Sequence, residues 1–360
     1  MKIAIFGAGQ LAMMMIKADK NAVHNYIVID PSPAPPASLY ADHIQSEYNN
    51  PSTINNICAN CDLVTVDFEN VDVSALAEIE KHIPVHPNSR ALEICQDRIK
   101  EKDLFKSLQI KTTVNFKINS MDDINNSIDL SKRYILKSRR FGYDGKNQYR
   151  IEPDQKVETN LISSPCILEE LVKFKSEVSL ICVKSIDGRA FYYPLIENSH
   201  KDGILDMSIY PSNYAHLQES AELIGNKLLE EMKYVGVLVI EFFINEHDEL
   251  IANEMAPRVH NSGHWTIEGA NISQFEAHIA AITGNMKDFK LKLRPSFMFN
   301  ILSNHLPEDR IGKLKSNLDI HFHDYHKKQR ANRKLGHLTC TAEDRESLEE
   351  KLQKLRDIIQ

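Results

Sequence analysis

The stretch of sequence that decides the fold reads Asn253-Glu-Met-Ala-Pro-Arg-Val-His-Asn-Ser-Gly-His-Trp265. Two segments rich in β-branched and aromatic residues, 237–244 and 250–253, lead into it, and the polar residues 245–249 join them. This pattern predicts a β-hairpin. The quoted stretch then places a carboxylate, a guanidinium, amides, imidazoles and the chain's single tryptophan directly after the hairpin. So many polar side chains beside two apolar strands indicate a ligand-binding site.

The register of this hairpin predicts a metal site. A turn centred between residues 247 and 248 sets Glu241 opposite Glu254. Two carboxylates directly opposite each other on antiparallel strands repel one another, so a divalent cation is expected between them. Mg²⁺ usually binds through one or two carboxylates together with substrate phosphates, which makes both glutamates predicted ligands. In the alternative, both side chains point to solvent. The same register pairs Ile244 with Ile251 and Phe242 with Asn253.

Length and composition limit the class of protein. The chain has 360 residues, of which 42% are hydrophobic and 26% charged, values typical of a globular protein with two or three domains. Its net charge of -7 argues against general nucleic-acid binding, and no apolar run approaches the roughly 18 residues of a membrane span. The six scattered cysteines, and a start that leads into a strand pattern without a signal peptide, predict a cytoplasmic protein.

The N-terminal part predicts a Rossmann-like sheet. An apolar strand over 2–6 precedes the glycine turn Gly7-Ala-Gly9-Gln10, a helix over 11–19, and a second strand that ends in Asp30. This is the order of a mononucleotide-binding βαβ unit, although Ala12 stands at the third glycine position and the signal for NAD is weak. A further strand over 63–66 leads into polar residues at its carboxyl end, where open α/β sheets bind ligands.

The middle of the chain places a lysine beside a basic, glycine-bearing loop. Lys137 ends a predicted strand over 134–137, and the loop 139–148 follows it. Such a lysine and loop are a common way to hold ATP phosphates, the alternative being a solvated basic patch. The other predicted elements are a charged helix over 92–108, strands over 167–172 and 176–181, a helix over 215–232, short strands after residue 284, and an amphipathic helix over 343–359.

In order and spacing these motifs resemble the ATP-grasp superfamily. More narrowly, the chain resembles the N5-carboxyaminoimidazole ribonucleotide synthetase family over essentially its whole length. The segment Ala256-Pro-Arg-Val-His-Asn-Ser-Gly-His-Trp265 is the most specific for this family. The other strings that carry the resemblance are Phe68-Glu-Asn-Val71, Gln96-Asp-Arg98, Gly142-Tyr-Asp-Gly145, Tyr193-Pro194, Glu197-Asn198, Ser273-Gln-Phe275 and Arg333-Lys-Leu-Gly-His337.

The resemblance implies a fold of the α/β and α+β classes in three parts. These are a Rossmann-like, pre-ATP-grasp N-terminal domain (1–95), an ATP-grasp domain with a mobile glycine loop (96–287), and a small β-rich C-terminal domain (288–360). The implied activity belongs to purine biosynthesis. With Mg²⁺ or Mn²⁺, ATP and bicarbonate would carboxylate the amine of 5-aminoimidazole ribonucleotide through carboxyphosphate, releasing ADP and phosphate. The resemblance also implies a homodimer.

The same resemblance assigns roles to particular side chains. The metal would be held by Glu241 and Glu254. Catalysis would involve Asp144, Arg258, His260, Asn261 and Lys327. The ribonucleotide would be bound by Gly9, Gln10, Leu11, Glu69 and Ser262, and its phosphate by Lys327, Arg330, Arg333 and Lys334. ATP would be bound by Arg98, Lys137, Gly142, Tyr143, Asp144, Gly145, Lys146, Asn147, Gln148, Glu169, Glu170, Leu171, Val172, Glu177, His200, Asn253 and Glu254.

The chain departs from the family pattern at two turns. Asn147 replaces the last glycine of the loop, where function is expected to survive because asparagine tolerates positive φ. Ala8 and Ala12 replace glycines of the first turn. Three alternatives stay open: another ATP-grasp ligase, such as a formate-dependent glycinamide ribonucleotide transformylase; a dinucleotide-binding oxidoreductase, suggested by the glycine turn; and a nucleotide-binding module without turnover.

Overall fold

The strands in the described part of the chain form three sheets. The computed structural model of the chain describes residues 1–127, 129, 131–142, 148–154, 165–287, 290–302, 312–314, 316, 319–330 and 333–359. Within these residues one sheet lies in the N-terminal part, a small sheet in the central part, and a large sheet spans the central and C-terminal parts. No described helix is both long and apolar enough to cross a membrane.

The N-terminal sheet is parallel. Its strands are β1 (Lys2–Phe6), β2 (Asn25–Asp30), β3 (Asp42–Gln45) and β4 (Leu63–Val66). Their order, β3-β2-β1-β4, is that of a Rossmann half, as the sequence predicts. Strands β1, β2 and β4 are nearly continuous apolar runs, because helices cover the faces of the sheet. These helices are α1 (Gln10–Ala18), α2 (Pro51–Asn60), α3 (Val73–Ile79) and α4 (Ser89–Cys95).

The small antiparallel sheet carries the predicted ATP lysine. Its strands are β5 (Asn115–Ile118), β6 (Tyr134–Ser138), β7 (Gln148–Ile151) and β8 (Cys166–Glu170). The helices in this part of the chain are α5 (Arg98–Ser107) and α6 (Met121–Ser127). The strand order is β5-β8-β6-β7. Ile135 of β6 pairs with Glu169 of β8. Because side chains two residues apart share one face of a strand, Lys137 lies on the same face as Glu169.

The large sheet joins the central and C-terminal parts of the chain. Its strands are β9 (Ser176–Lys184), β10 (Ala190–Tyr192), β11 (Ile196–Lys201), β12 (Ile204–Tyr210), β13 (Gly236–Ile244), β14 (Leu250–Ala256), β15 (Ser296–Leu302), β16 (Ile320–Asp324) and β17 (Lys334–Thr341). The order is β14-β13-β9-β11-β12-β15-β17-β16, with β10 beside β9. The C-terminal strands therefore extend the sheet that begins at the β13–β14 hairpin. Its helices are α7 (Gln218–Glu231), α8 (Thr266–Gly269), α9 (Gln274–Thr283) and α10 (Arg345–Ile359).

The hairpin keeps the predicted pairing of Glu241 with Glu254, but its register differs elsewhere. The turn is one residue tighter than predicted, because Asn245 Oδ1 accepts hydrogen bonds of 2.9 Å from two backbone N–H groups of the turn. A β-bulge at Asn253 then inserts one extra residue and restores the opposition of the carboxylates. The pairs predicted wrongly are Ile244 with Ile251 and Phe242 with Asn253, which the structure replaces by Ile244 with Leu250 and Phe242 with Ala252.

The charged helix predicted over 92–108 is in fact two helices, α4 and α5. The chain breaks at Gln96 and Asp97, and Asp97 caps α5 by accepting a 3.1 Å hydrogen bond from the Ile99 N–H. The Gln96 side chain donates to two backbone carbonyls of the loop after β4, at 2.7 Å each. Tertiary hydrogen bonds thus end α4 and tie the start of α5 to the edge of the N-terminal sheet.

Candidate active site

A cavity of about 950 Å³ is lined by the N-terminal, central and C-terminal parts of the fold. The predicted site residues that line it are Gly9, Gln10, Leu11, Glu69, Arg98, Gly142, Glu241, Glu254, Arg258, His260, Asn261, Lys327, Arg330, Arg333 and Lys334. The predicted residues that are described but do not line it are Lys137, Gln148, Glu169, Glu170, Leu171, Val172, Glu177, His200, Asn253 and Ser262. Five predicted residues, Tyr143, Asp144, Gly145, Lys146 and Asn147, lie outside the described residues.

Two carboxylates face each other across the hairpin at the edge of this cavity. Glu241 pairs directly with Glu254, and the Arg98 guanidinium donates to Glu254 Oε2 at 2.8 Å. Burial and then the charge of Glu254 raise the pKa of Glu241. Burial alone would raise the pKa of Glu254 as well, but Arg98 holds that pKa below its usual range. The pair is therefore electrostatically uneven, with one carboxylate already neutralised by a cation.

A hard divalent cation fits this pair. Among the described residues no cluster of three or more His, Cys, Asp or Glu side chains could hold a metal ion. The hairpin instead offers two carboxylates, and beside them Asn253 Oδ1 is buried without a hydrogen-bond partner in the described part of the chain. Mg²⁺ accepts such a partial set of oxygen ligands because it takes its others from water and phosphates. The donor set supports the predicted metal site.

Lys137 belongs to a buried ionic cluster centred on Glu169. The Glu169 carboxylate forms ion pairs with Lys137 and with Lys102, the latter at 3.0 Å, and accepts a 2.6 Å hydrogen bond from Thr113. Burial would raise the pKa of Glu169, but the two ammonium groups lower it well below its usual range. This carboxylate is therefore ionised and bonded within the protein. Its ion pair holds Lys137 in place.

Lys102 is a charged residue of this cluster that the sequence did not predict to be part of the site. Its side chain is 2% exposed and its Nζ also donates to the backbone carbonyl of Asn253 at 2.5 Å. The signal was its position four residues after Arg98 in α5, since residues at this spacing share one helix face. A charged helix face is usually solvated, so the sequence alone favours a surface position for Lys102.

Glu177 and His200 meet on neighbouring strands of the large sheet. His200 Nδ1 lies 2.7 Å from Glu177 Oε2. Burial would lower the pKa of His200, but the hydrogen bond to Glu177 and the nearby charge of Glu241 raise it. The predicted ATP residues Glu170, Leu171 and Val172 lie at the end of β8, in the small sheet. The Glu170 carboxylate forms an ion pair with Lys132 at 2.9 Å. Because β8 ends at Glu170, Leu171 and Val172 follow the strand, whereas the sequence predicted that they belong to it.

The segment after the hairpin carries a guanidinium, an imidazole and an amide into the cavity. Arg258 forms an ion pair with Glu69, which joins this segment to the loop after β4. Burial and then the charge of Arg258 lower the pKa of His260, so its imidazole is neutral. Asn261 is 9% exposed, and neither polar atom of its side chain has a hydrogen-bond partner among the described residues. Buried polar atoms are normally bonded, so Asn261 marks a place for a ligand.

Ser262 lies behind these residues and supports them. It is fully buried, and its hydroxyl lies 2.9 Å from His260 Nδ1. The Gln274 side chain binds the backbone of the same histidine. It accepts a 2.9 Å hydrogen bond from the His260 N–H and donates a 2.6 Å hydrogen bond to the His260 carbonyl. The structure therefore places Ser262 as a support of His260, away from the wall where substrate binding was predicted.

The glycine turn and a basic segment line the same cavity. The basic segment comprises Lys327, Arg330, Arg333 and Lys334, and Lys327 Nζ donates to Gln10 Oε1 at the turn. Within the turn, Asp67 Oδ2 accepts hydrogen bonds from the N–H groups of Gly9 at 2.6 Å and Ala12 at 3.3 Å. Burial raises the pKa of Asp67 to about 6. Asp67 is the first of the polar residues after β4, and the sequence pattern did not predict this role for it.

Three family models match the chain in succession. The ribonucleotide synthetase preATP-grasp domain matches residues 1–96, and the ATP-grasp domain matches residues 103–275. The phosphoribosylaminoimidazole carboxylase C-terminal domain matches residues 296–351. These three matches correspond to the N-terminal, central and C-terminal parts of the fold.

Whole-length relatives decide the family. An N5-carboxyaminoimidazole ribonucleotide synthase of Pseudomonas aeruginosa is 37% identical over 100% of both chains. The chain belongs to the N5-carboxyaminoimidazole ribonucleotide synthase family. The solved structure of N5-carboxyaminoimidazole synthetase from Staphylococcus aureus with ADP has a TM-score of 0.93 at 31% identity, over 100% of this chain and 97% of that one. The Aspergillus clavatus synthase with ADP and 5-aminoimidazole ribonucleotide has a TM-score of 0.89 at 26% identity, over 99% and 98% of the chains.

Family membership confirms the resemblance that the sequence motifs carry. The pre-ATP-grasp, ATP-grasp and C-terminal parts are those of the N5-carboxyaminoimidazole ribonucleotide synthase family, and the chain is an ATP-grasp ligase by family. The domain boundaries at residues 95 and 287 and the roles of individual side chains stay predictions.

Proposed function

We propose that this chain carboxylates the amine of 5-aminoimidazole ribonucleotide with ATP and bicarbonate, giving N5-carboxyaminoimidazole ribonucleotide, ADP and phosphate. One observation carries the proposal. A single cavity holds the opposed Glu241 and Glu254, the basic segment, and the buried Asn261, whose side chain has no hydrogen-bond partner among the described residues. Each of these is suited to a different part of this reaction. Its relatives bear the same synthase name, and one solved relative binds ADP together with 5-aminoimidazole ribonucleotide.

The chemistry requires that bicarbonate be activated. Its carbon carries an oxide that leaves poorly, so an amine does not displace it directly. Transfer of the γ-phosphoryl group of ATP to a bicarbonate oxygen gives carboxyphosphate and ADP. Loss of phosphate from carboxyphosphate then delivers the carboxyl carbon to the exocyclic amine, which forms the new carbon–nitrogen bond and releases a proton. Positioning and charge neutralisation supply most of the catalysis in such phosphoryl transfers.

The nucleotide side of the site consists of cations and the carboxylate pair. Arg98 and Lys137 would balance the negative charge of the ATP phosphates, and the ion pair with Glu169 holds Lys137 in position. Glu241 and Glu254 would hold Mg²⁺ or Mn²⁺, with Asn253 alongside. The metal would neutralise charge on the phosphates when bound.

The bicarbonate side is formed by the segment after the hairpin. Arg258 supplies a permanent cation, and the neutral imidazole of His260 lies with its Nε2 3.6 Å from Glu241 Oε1. Together with the amide of Asn261, these groups would orient a small planar anion beside the γ-phosphate. Asp144 would lie by the substrate amine, and Lys327 by the substrate phosphate. As further expectations, the enzyme works in the cytoplasm as a homodimer on small molecules, without nucleic-acid or membrane partners.

An ADP-release assay tests this function. The full chain with Mg-ATP is given 5-aminoimidazole ribonucleotide alone, bicarbonate alone, or both, and labelled bicarbonate is followed into an acid-labile product. ADP release that needs both substrates, with label in the product, is expected. Release that depends instead on formate and glycinamide ribonucleotide would favour the transformylase alternative. Absence of any stimulation by 5-aminoimidazole ribonucleotide would contradict the proposed substrate.

A further inference from the structure

The glycine turn is filled by a side chain of the protein itself. A methyl group added to Gly7, where φ is +95°, would lie 1.7 Å from Asp67 Oδ1, so this carboxylate lies directly against the turn. A methyl group added to Gly9 would lie 2.9 Å from Asp67 Oδ2. The Asp67 side chain is only 5% exposed. The two glycines therefore make room for a carboxylate of the same chain.

This is the position that a phosphate takes in a dinucleotide-binding turn. There, glycines let the backbone approach the pyrophosphate, and N–H groups at the start of the helix bind its oxygens. In this chain Asp67 takes the N–H groups of Gly9 and Ala12, and Asp30 Oδ2 accepts from the Ala8 N–H at 3.2 Å. A phosphate would have to displace one carboxylate and lie beside another, and like charges at such distances repel strongly.

Other residues that line the same cavity carry positive charge. These residues form the basic segment, Lys327, Arg330, Arg333 and Lys334, and Lys327 donates a hydrogen bond to Gln10 at the end of the turn. We infer that Asp67 is a specificity-determining residue: it occupies the anion position of the glycine turn, so that the phosphate of the ribonucleotide binds only at the basic segment. The inference rests on the proposed function for the identity of the ribonucleotide.

Phosphate binding to an Asp67→Ser variant tests this inference. The serine side chain is too short to fill the turn, so the N–H groups of Gly9 and Ala12 become available to an anion. Isothermal titration of the full chain with inorganic phosphate at pH 8 should then show a second site, or affinity at least about tenfold higher than in wild type. Phosphate should also compete more strongly with 5-aminoimidazole ribonucleotide in the assay. A folded Asp67→Ser protein with wild-type phosphate binding would overturn the inference.

Two further variants make the result specific. Asp62→Ser removes another N-terminal carboxylate, which accepts the Lys2 N–H at 2.7 Å outside the cavity, and it should leave phosphate binding unchanged. Asp67→Asn keeps the turn filled while it removes the charge, so a smaller gain of about threefold is expected. If Asp67→Ser does not fold, the absence of any gain in Asp67→Asn overturns the inference. Because phosphate titration needs no turnover, its outcome is separate from a failure of the proposed reaction.

Discussion

The glycine turn and the β13–β14 hairpin both stand out in the sequence as ligand sites, and the structure treats them in opposite ways. At the hairpin, two carboxylates oppose each other and Asn253 Oδ1 has no partner within the described residues. At the turn, Asp67 already accepts from the N–H groups that a phosphate would use. A motif thus shows that a backbone can approach a charged group, whereas the fold decides whether that group comes from a ligand or from the chain.

The largest expected effect comes from breaking the hairpin pair. Glu254→Gln removes one carboxylate of the proposed metal site and the partner of Arg98, so ribonucleotide-dependent ADP release should fall by about 10³-fold or more. The melting temperature should change little, because the amide has the same size. Glu249→Gln is the matched control, since Glu249 lies at the turn of the same hairpin and pairs with Lys111 at its surface. Near-normal turnover of Glu254→Gln would contradict the metal assignment.

Breaking the glycine turn should cost stability. Gly7→Ala forces a side chain into positive φ and against Asp67, so the free energy of unfolding should fall by about 3 kcal/mol. Gly188 also has positive φ, +87°, but no described atom lies within 4 Å of an added methyl group. Gly188→Ala should therefore lose only about 1 kcal/mol, from backbone strain. Urea unfolding measures both, and equal losses would show that Asp67 does not fill the turn tightly.

Lys137 tests whether the cations near the hairpin serve the nucleotide. Lys137→Met removes one charge from the cluster around Glu169, and the dissociation constant for Mg-ATP should rise by about 10- to 100-fold, as expected for a charge-assisted hydrogen bond. Lys132→Met is the control, because Lys132 pairs with Glu170 at the surface of the same sheet. Calorimetry distinguishes the two variants. Unchanged ATP affinity in Lys137→Met would remove this lysine from the site.

The smallest expected effect concerns His278, which links the two regions. Its Nδ1 accepts from the Val237 N–H of β13 at 3.1 Å, so Nε2 carries the proton and donates to Thr65 of β4 at 2.9 Å. Burial lowers the pKa of His278 to about 3. Below about pH 6.5 the imidazole is therefore protonated in the unfolded chain and neutral in the native state, so the free energy of unfolding falls as pH falls toward 3.

His278→Asn isolates this contribution, because asparagine keeps an acceptor for the Val237 N–H and does not titrate. Between about pH 7.5 and 5.5 the wild type should lose about 1 kcal/mol relative to the variant. Asp67 acts in the opposite direction: its raised pKa, about 6, makes the native state gain stability as pH falls through 6. The wild type and the His278→Asn variant both contain Asp67, so its contribution cancels in the difference between their free energies of unfolding, measured in urea. If the free energies of unfolding of the wild type and the variant changed with pH in parallel, His278 would titrate normally in the native state.

Local pattern was enough for much of the fold. The apolar runs over 2–6 and 63–66 coincide with β1 and β4, because parallel strands buried on both faces need continuous apolar sequence. The pairing of Glu241 with Glu254 was also correct, although the tighter turn and the bulge at Asn253 that produce it were not foreseen. Two compensating local irregularities cannot be told from a regular hairpin by side-chain alternation alone.

Distant contacts account for what the sequence did not predict. The helix over 92–108 breaks because Gln96 hydrogen-bonds to the loop after β4, far from it in sequence. Lys102 looks like one charge of a solvated helix face, yet it is buried because Glu169 and the Asn253 carbonyl come from other strands to meet it. Neither partner can be inferred from the residues around position 102.

The sequence by itself determined the family, the parallel N-terminal sheet, the opposed carboxylates and many of the residues that meet in the cavity. It did so because strand periodicity and motif spacing are local properties of the chain. Only the tertiary structure decided which charged groups those residues face. Asp67 fills the glycine turn, Glu169 is bonded between two lysines, and Asn261 keeps polar atoms unpartnered among the described residues. The reason is physical: whether a polar group is available to a ligand depends on which other groups folding brings within hydrogen-bond distance.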